Sequence, residues 1–160
     1  MGLVTPLGIG VTASWEALLE GRSGIGTIKT FDSSDLPVHI AGEVKDFDPA
    51  QFIELKEIKK MDRFIHFAVA ASHMALKDSG ITITEENAER VGVIIGSGMG
   101  GLPAIEHYHK IYLEKGHRRI TPFFIPMLII NLASGQVSII FGAKGPNSAV
   151  ATACATGSHA

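Results

Sequence analysis

The feature that most constrains this chain is where its glycines fall. The 18 glycines concentrate in short clusters, GLVTPLGIG, GRSGIG, GSGMGG and GAKGP, and each cluster lies where one periodic segment stops and another begins. Glycine supplies backbone conformations and close approaches that other residues resist, so such clusters read as turns between regular elements. Segments between them carry two different periods. TASWEALLEG offers Thr12 or Ser14 as an N-cap, a stripe of Trp15, Leu18 and Leu19, and Gly21 as a stop, which predicts a short amphipathic helix. Lys59 to Ser79 places Met61, Phe64, Ile65, Ala68, Ala71 and Ala75 on one face ahead of Gly80, which predicts the main helix. VGVIIGS, Val91 to Ser97, is β-branched and bounded by glycine, as a strand covered on both faces would be. A helix from about Pro103 to Glu114 follows. A nearly all-apolar helix from Met127 to Phe141 should be buried on every side, and Asn147 to Ala153 reads as a strand running into Cys154. Strand and helix alternate, so the class is α/β. Met1 opens on a loop-like stretch with no strand before it, and Thr156 to Ala160 begins a helix with no room to finish it, so the chain is expected to be cut at both ends.

Composition excludes several function classes. With 14 Lys+Arg against 16 Asp+Glu the net charge is −2, which carries no footprint for nucleic acid. The apolar run Phe123 to Gly142 is interrupted by Pro126, Asn131, Ser134, Gly135, Gln136 and Ser138, whereas a bilayer span needs about 20 predominantly apolar residues. A core helix is expected there and no membrane contact. One cysteine makes no internal disulfide, and the start has no basic then apolar leader pattern, so a reducing cytoplasm is expected.

That cysteine, Cys154, sits in ATACATG between small residues. A thiol reacts as thiolate, and a strand followed by a helix start favours the charged form, while alanine and glycine neighbours admit a bulky substrate. The alternative is an inert buried hydrophobe. GSGMGG, Gly96 to Gly101, matches the G-x-G-x-x-G pattern after a strand and before a helix, so a nicotinamide-binding domain is an alternative reading. That site expects an acidic residue about 20 positions on, and EKGHRRIT is polar and basic instead. Among 7 histidines, His107 and His109 are two apart and point to different sides of a helix. His66 and His73 lack a third ligand, and His159 is too near Cys154 in sequence to be taken as its base. No metal is assigned. Lys56, Lys59 and Lys60 form one basic group and Arg118 with Arg119 another, either solvated surface or contacts for an anionic partner.

The order GLVTPLG, WEALLEGRSGI, FD, KKMDRF, GSGMGGL, ITPFFIPMLIIN, GAKGPN and ATACATG resembles the β-ketoacyl-acyl carrier protein synthases of type II fatty acid synthesis, most like synthase II. The resemblance runs through essentially all 160 residues. It implies a thiolase-like fold of two similar halves, layered α-β-α-β-α when complete, with residues 1–160 forming most of the first half and the second half absent. It implies an acyltransferase in which Cys154 carries an acyl chain and condenses it, with decarboxylation, onto malonyl-acyl carrier protein. The family's two catalytic histidines and a lysine belong to the second half, so these 160 residues alone are expected to be incompetent for condensation. The related chain-length factors lack the cysteine, so its presence argues for the catalytic type. Met99 matches a position against the acyl pocket, and Phe124 an aromatic position near a homodimer interface that reaches toward the partner's pocket. Lys56, Lys59, Lys60, Arg118 and Arg119 match positions that dock the acidic carrier protein and its phosphopantetheine arm. No cofactor is implied. A non-catalytic piece that works only by pairing with a separate second half stays open as an alternative.

Overall fold

The computed structural model describes all 160 residues. A hairpin of β1 (Val4–Thr5) and β2 (Gly8–Ile9) leads into α1 (Val11–Leu19), and β3 (Gly26–Thr27) pairs antiparallel with β4 (Ile40–Ala41). There follow α2 (Leu55–Ile58), α3 (Arg63–Ser79), β5 (Val93–Ile94), α4 (Leu102–Lys115), α5 (Phe124–Leu128), α6 (Leu132–Phe141), β6 (Asn147–Ser148) and α7 (Thr156–His159). The α/β class predicted from the alternation is the one observed.

The core lies where α3 crosses α6. Ile53, Met61, Ile65, Val69 and Val137 are buried together, and Phe52, Leu132, Phe141, Val93 and Ile95 pack around them. β5 and β6 run parallel beside this core with Val93 opposite Asn147 and Ile94 opposite Ser148. Their ladder extends past the strands proper: N–H groups of Val93, Ile95 and Ser97 donate to the carbonyls of Pro146, Ser148 and Val150 at 2.8, 3.3 and 3.1 Å. Both chains therefore leave the sheet at the same end, side by side.

Several expectations need correction. The main helix starts at Arg63 rather than Lys59, because Lys59 to Asp62 form the turn between α2 and α3 and Asp62 takes the extended N-cap conformation. Its predicted end holds, with Gly80 left-handed at φ 69°. In α1, Thr12 and Ser14 lie inside the helix and Gly10 is the cap. The stripe also faces outward: Trp15 is 58% and Leu19 71% exposed, while Ser14 and Ala17 are buried. Small residues win the inner face because Ser14 Oγ bonds Thr5 Oγ1 at 3.0 Å and the Gly8 carbonyl at 3.2 Å, drawing the helix flat onto the β1–β2 hairpin.

The single helix predicted from Met127 to Phe141 is broken. Ile129 is extended (φ −77°, ψ 137°) between α5 and α6. The Leu128 carbonyl, which a continuous helix would give to Leu132, instead accepts the Gly101 N–H at 3.0 Å, so a long-range hydrogen bond displaces a helical one. Nor is this segment buried all round, since Ile139 is 72% exposed. β5 is likewise open on one side, with Ile94 57% exposed and no element of this chain covering it. The last predicted strand stops early: its ladder ends at Val150, and the backbone turns at Thr152 instead of running extended to Ala153.

Candidate active site

β6 exits into a tight turn that presents Cys154. Ala153 to Ala155 form one turn of 3-10 helix, leading directly into α7, and the Cys154 side chain is exposed. Ala153 holds φ +48°, a left-handed conformation that a residue with a Cβ adopts at a cost of about 1–2 kcal/mol. The turn is closed by its own threonines. The Thr152 carbonyl accepts Ala155 N–H at 3.1 Å, the Thr152 N–H donates to Thr156 Oγ1 at 2.9 Å, and Thr152 Oγ1 lies 2.9 Å from His159 Nδ1. His159 is thus engaged with Thr152. The Cys154 N–H donates to no acceptor within the chain.

GSGMGG forms the neighbouring turn, and protein contacts account for three of its four glycines, Gly96, Gly100 and Gly101. A Cβ on Gly96 would lie 2.2 Å from Thr156 Cγ2, one on Gly100 2.4 Å from the Leu128 carbonyl oxygen, and one on Gly101 2.2 Å from that of Met127. Protein atoms, the Thr156 methyl and two backbone carbonyls, fill the space that these three glycines leave. The turn seats α5 on one side and the Cys154 turn on the other. Met99 stands at its tip, 76% exposed. Phe124, on α5, is half-buried with its ring 5.3 Å from that of Tyr108. The structure therefore joins the turns of Cys154 and Met99 to the helix of Phe124.

Two of the five basic residues are paired with carboxylates. Lys56 pairs with Glu54 at 2.8 Å, which raises the lysine's pKa from its ordinary value, and Lys60 pairs with Glu57 at 2.7 Å. Lys60 also sits over the Phe123 ring, 5.3 Å from its centroid, which ties the turn after α2 to the start of α5. Lys59 lines a cavity of about 760 Å3 with Arg63, Asp62, His107 and Tyr108. Arg118 and Arg119 are exposed in the turn between α4 and α5. No group of three or more His, Cys, Asp or Glu side chains is placed to hold a metal ion, and no helix is long and apolar enough to cross a membrane.

Two supports escaped the sequence reading. Asp62 Oδ2, almost wholly buried, accepts the Ala104 N–H at 2.9 Å and so fixes the first turn of α4, just after GSGMGG. An Asp directly before an apolar-periodic run was the available signal for a helix start. Asn147 clamps β6 to α6: its Nδ2–H donates to the Ser134 carbonyl at 3.0 Å, and Ser134 Oγ lies 2.9 Å from its Oδ1. Nothing local in GAKGPN indicates that partner.

Fold and turn together define a class, α/β proteins that present a single thiol where a parallel strand bends into a helix. The chain belongs to the β-ketoacyl synthase family, matching its N-terminal domain over residues 1–160. It is 52% identical over 160 residues to the 3-oxoacyl-(acyl-carrier-protein) synthase 2 of Synechocystis, covering all of this chain and 38% of that protein. Among solved structures, it is similar to an ishigamide ketosynthase/chain length factor, with a TM-score of 0.78, 27% identity, and coverage of 94% of this chain and 38% of that one. A type II polyketide acyl-carrier protein in complex with its ketosynthase shares the fold at a TM-score of 0.79 and 23% identity, covering 99% of this chain and 42% of that one. The chain thus spans well under half the length of these relatives. The resemblance seen in the motifs and the fold it implied are both upheld.

Proposed function

We propose that the polypeptide carrying this chain is a 3-oxoacyl-(acyl-carrier-protein) synthase of type II fatty acid synthesis, with Cys154 as its nucleophile. The observation that carries this reading is the Cys154 turn: an exposed thiol on a strained backbone at the exit of a parallel ladder, with its own N–H unpaired. The Cys154 thiolate attacks the thioester carbonyl of an acyl-acyl carrier protein. A new S–C bond forms, the S–C bond to the phosphopantetheine arm breaks, and the departing thiolate takes up a proton. A malonyl thioester then loses carbon dioxide, and the electron pair of the broken C–C bond becomes an enolate. The enolate attacks the acyl carbonyl on Cys154 and expels the cysteine as thiolate. Two such steps replace one difficult one, and the free Cys154 N–H suits the oxyanion that forms in each. Two histidines and a lysine that promote decarboxylation are assigned, by family resemblance, to residues beyond this chain.

In this reading Met99 lies against the acyl chain, where its flexible side chain adapts to different lengths. Phe124 reaches toward the partner's pocket in a homodimer. Lys56, Lys59, Lys60, Arg118 and Arg119 dock the acidic carrier, which competes with Glu54 and Glu57 for the lysines. A free, exposed thiol that must stay reduced suits the cytoplasm. The test is intact mass after incubation with an acyl-acyl carrier protein thioester. A single acyl adduct, absent in Cys154→Ala, is expected; an adduct elsewhere, or none on folded protein, overturns the reading.

A further inference from the structure

We propose that Thr156 is the positioning residue of the nucleophile turn, its hydroxyl holding the backbone before Cys154 and its methyl seating the turn against Gly96. The inference rests on Cys154 being the nucleophile and adds which group presents it. Ala153 at φ +48° does not stay there by its own preference, so the residues on either side must hold it. Two hydrogen bonds span it: Ala155 N–H to the Thr152 carbonyl, and Thr152 N–H to Thr156 Oγ1. The first is an ordinary feature of a 3-10 turn. The second depends on one side chain, because no other acceptor takes the Thr152 N–H.

Thr156 is also the only buried residue between Thr152 and Ala160. Its Cγ2 lies so near Gly96 that a Cβ there would come within 2.2 Å. One side chain thus fixes the turn twice, to the strand that precedes it and to the neighbouring turn that carries Met99. Loss of the hydroxyl frees the Thr152 amide and lets Ala153 relax toward ordinary φ, which swings Cys154 off its line of attack. For a thioester held at the site, a misplacement on the order of 1 Å suffices to slow the transfer by about a hundredfold.

The test is the rate of Cys154 alkylation by iodoacetamide across pH in the full-length polypeptide, with Cys154→Ala as the blank. Thr156→Val keeps the shape and removes the acceptor, and is expected to slow alkylation at least about fivefold, because the thiol is less openly presented to the reagent. Thr156→Ser keeps the acceptor but loses the methyl against Gly96, and is expected to slow alkylation less than Thr156→Val does, staying within about threefold of the parent. Parent-like rates in Thr156→Val, or equal losses in both variants, overturn the proposal. Should Thr156→Val not fold, hydrogen exchange of the parent decides: the Thr152 amide is expected to be protected, and exchange at the rate of an unstructured chain overturns the assignment. Alkylation needs no carrier protein. A parent that alkylates rapidly at Cys154 yet accepts no acyl group would defeat the proposed function and leave the role of Thr156 standing.

Discussion

The two strands of the parallel pair leave the sheet next to each other through turns built on opposite principles. After β5, the chain uses glycine where the backbone turns left-handed, with Gly100 at φ +79°; after β6, it uses alanine, with Ala153 at φ +48°. At Gly100 the choice is steric, because the Leu128 carbonyl occupies the place where a Cβ would point. At Ala153 the strain is held by two hydrogen bonds, Thr152 N–H to Thr156 Oγ1 and Ala155 N–H to the Thr152 carbonyl. The first turn is a contact surface that admits no side chain, and the second a loaded geometry that aims one. A glycine at 153 would relieve the strain but loosen the aim.

The most forceful way to break this contrast is Gly100→Ala. Its Cβ would meet the Leu128 oxygen at 2.4 Å in a left-handed conformation, so strain and overpacking together predict a loss of about 3 kcal/mol or more. Denaturant unfolding of the full-length polypeptide checks it, and a loss below about 1 kcal/mol would mean that the turn yields easily. Asn147→Ala attacks the strand that feeds the second turn. It removes the bond to the Ser134 carbonyl and strips a partner from the fully buried Ser134 hydroxyl, for an expected loss of about 1–3 kcal/mol. If Cys154 alkylation slows in proportion, the clamp supports the nucleophile as well as the fold.

How far these turns were legible in the sequence follows from the range of the forces involved. Some helix ends set by local chemistry read correctly: Gly80 closes α3, and Leu102 to Lys115 nearly reproduces the helix expected from Pro103 to Glu114. Misread elements are those decided by a distant atom. Leu128 gives its carbonyl to Gly101 and splits an apolar helix, and Thr5 draws Ser14 inward so that Trp15 turns out. At the site, Cys154 stood out as the sole thiol, and GSGMGG as a turn. The left-handed Ala153 and the part played by Thr156 did not, since alanine carries no mark of positive φ and the hydroxyl's partner is set by the folded turn.

A pH titration separates the turns from the helices beneath them. His66 on α3 is partly buried and donates from Nε2 to the Ile58 carbonyl at 3.1 Å. Burial holds its pKa below the ordinary 6.5, outweighing the raising effect of that bond. With the folded value the lower one, stability is complete above about 6.5 and falls as pH drops through the folded value, because the unfolded chain binds the proton first. The melting temperature should decline on acidification below pH 6.5, and less steeply in His66→Gln. This effect is smaller than the two substitutions, since His66 is only half-buried. It should leave the relative reactivity of Cys154 unchanged, because His66 belongs to neither turn.

The smallest change is the most discriminating. Ala153→Gly reverses the chemistry of Gly100→Ala in the other turn. Removing the Cβ relieves about 1–2 kcal/mol of left-handed strain, and the freer unfolded chain offsets about 0.4–1 of it, so stability should rise by between about 0 and 1.6 kcal/mol. If alanine were present only by steric tolerance, Cys154 would alkylate at the parent rate. If it serves to stiffen the turn that Thr156 holds, the rate should fall a few-fold while the melting temperature does not fall. Combining Ala153→Gly with Thr156→Val then tests whether the two act on one coordinate. A glycine no longer needs to be held, so the hydroxyl's loss should matter less in the double variant than in Thr156→Val alone. Strictly additive losses would place the two residues in separate supports and remove the strain at Ala153 from the account of how Cys154 is aimed.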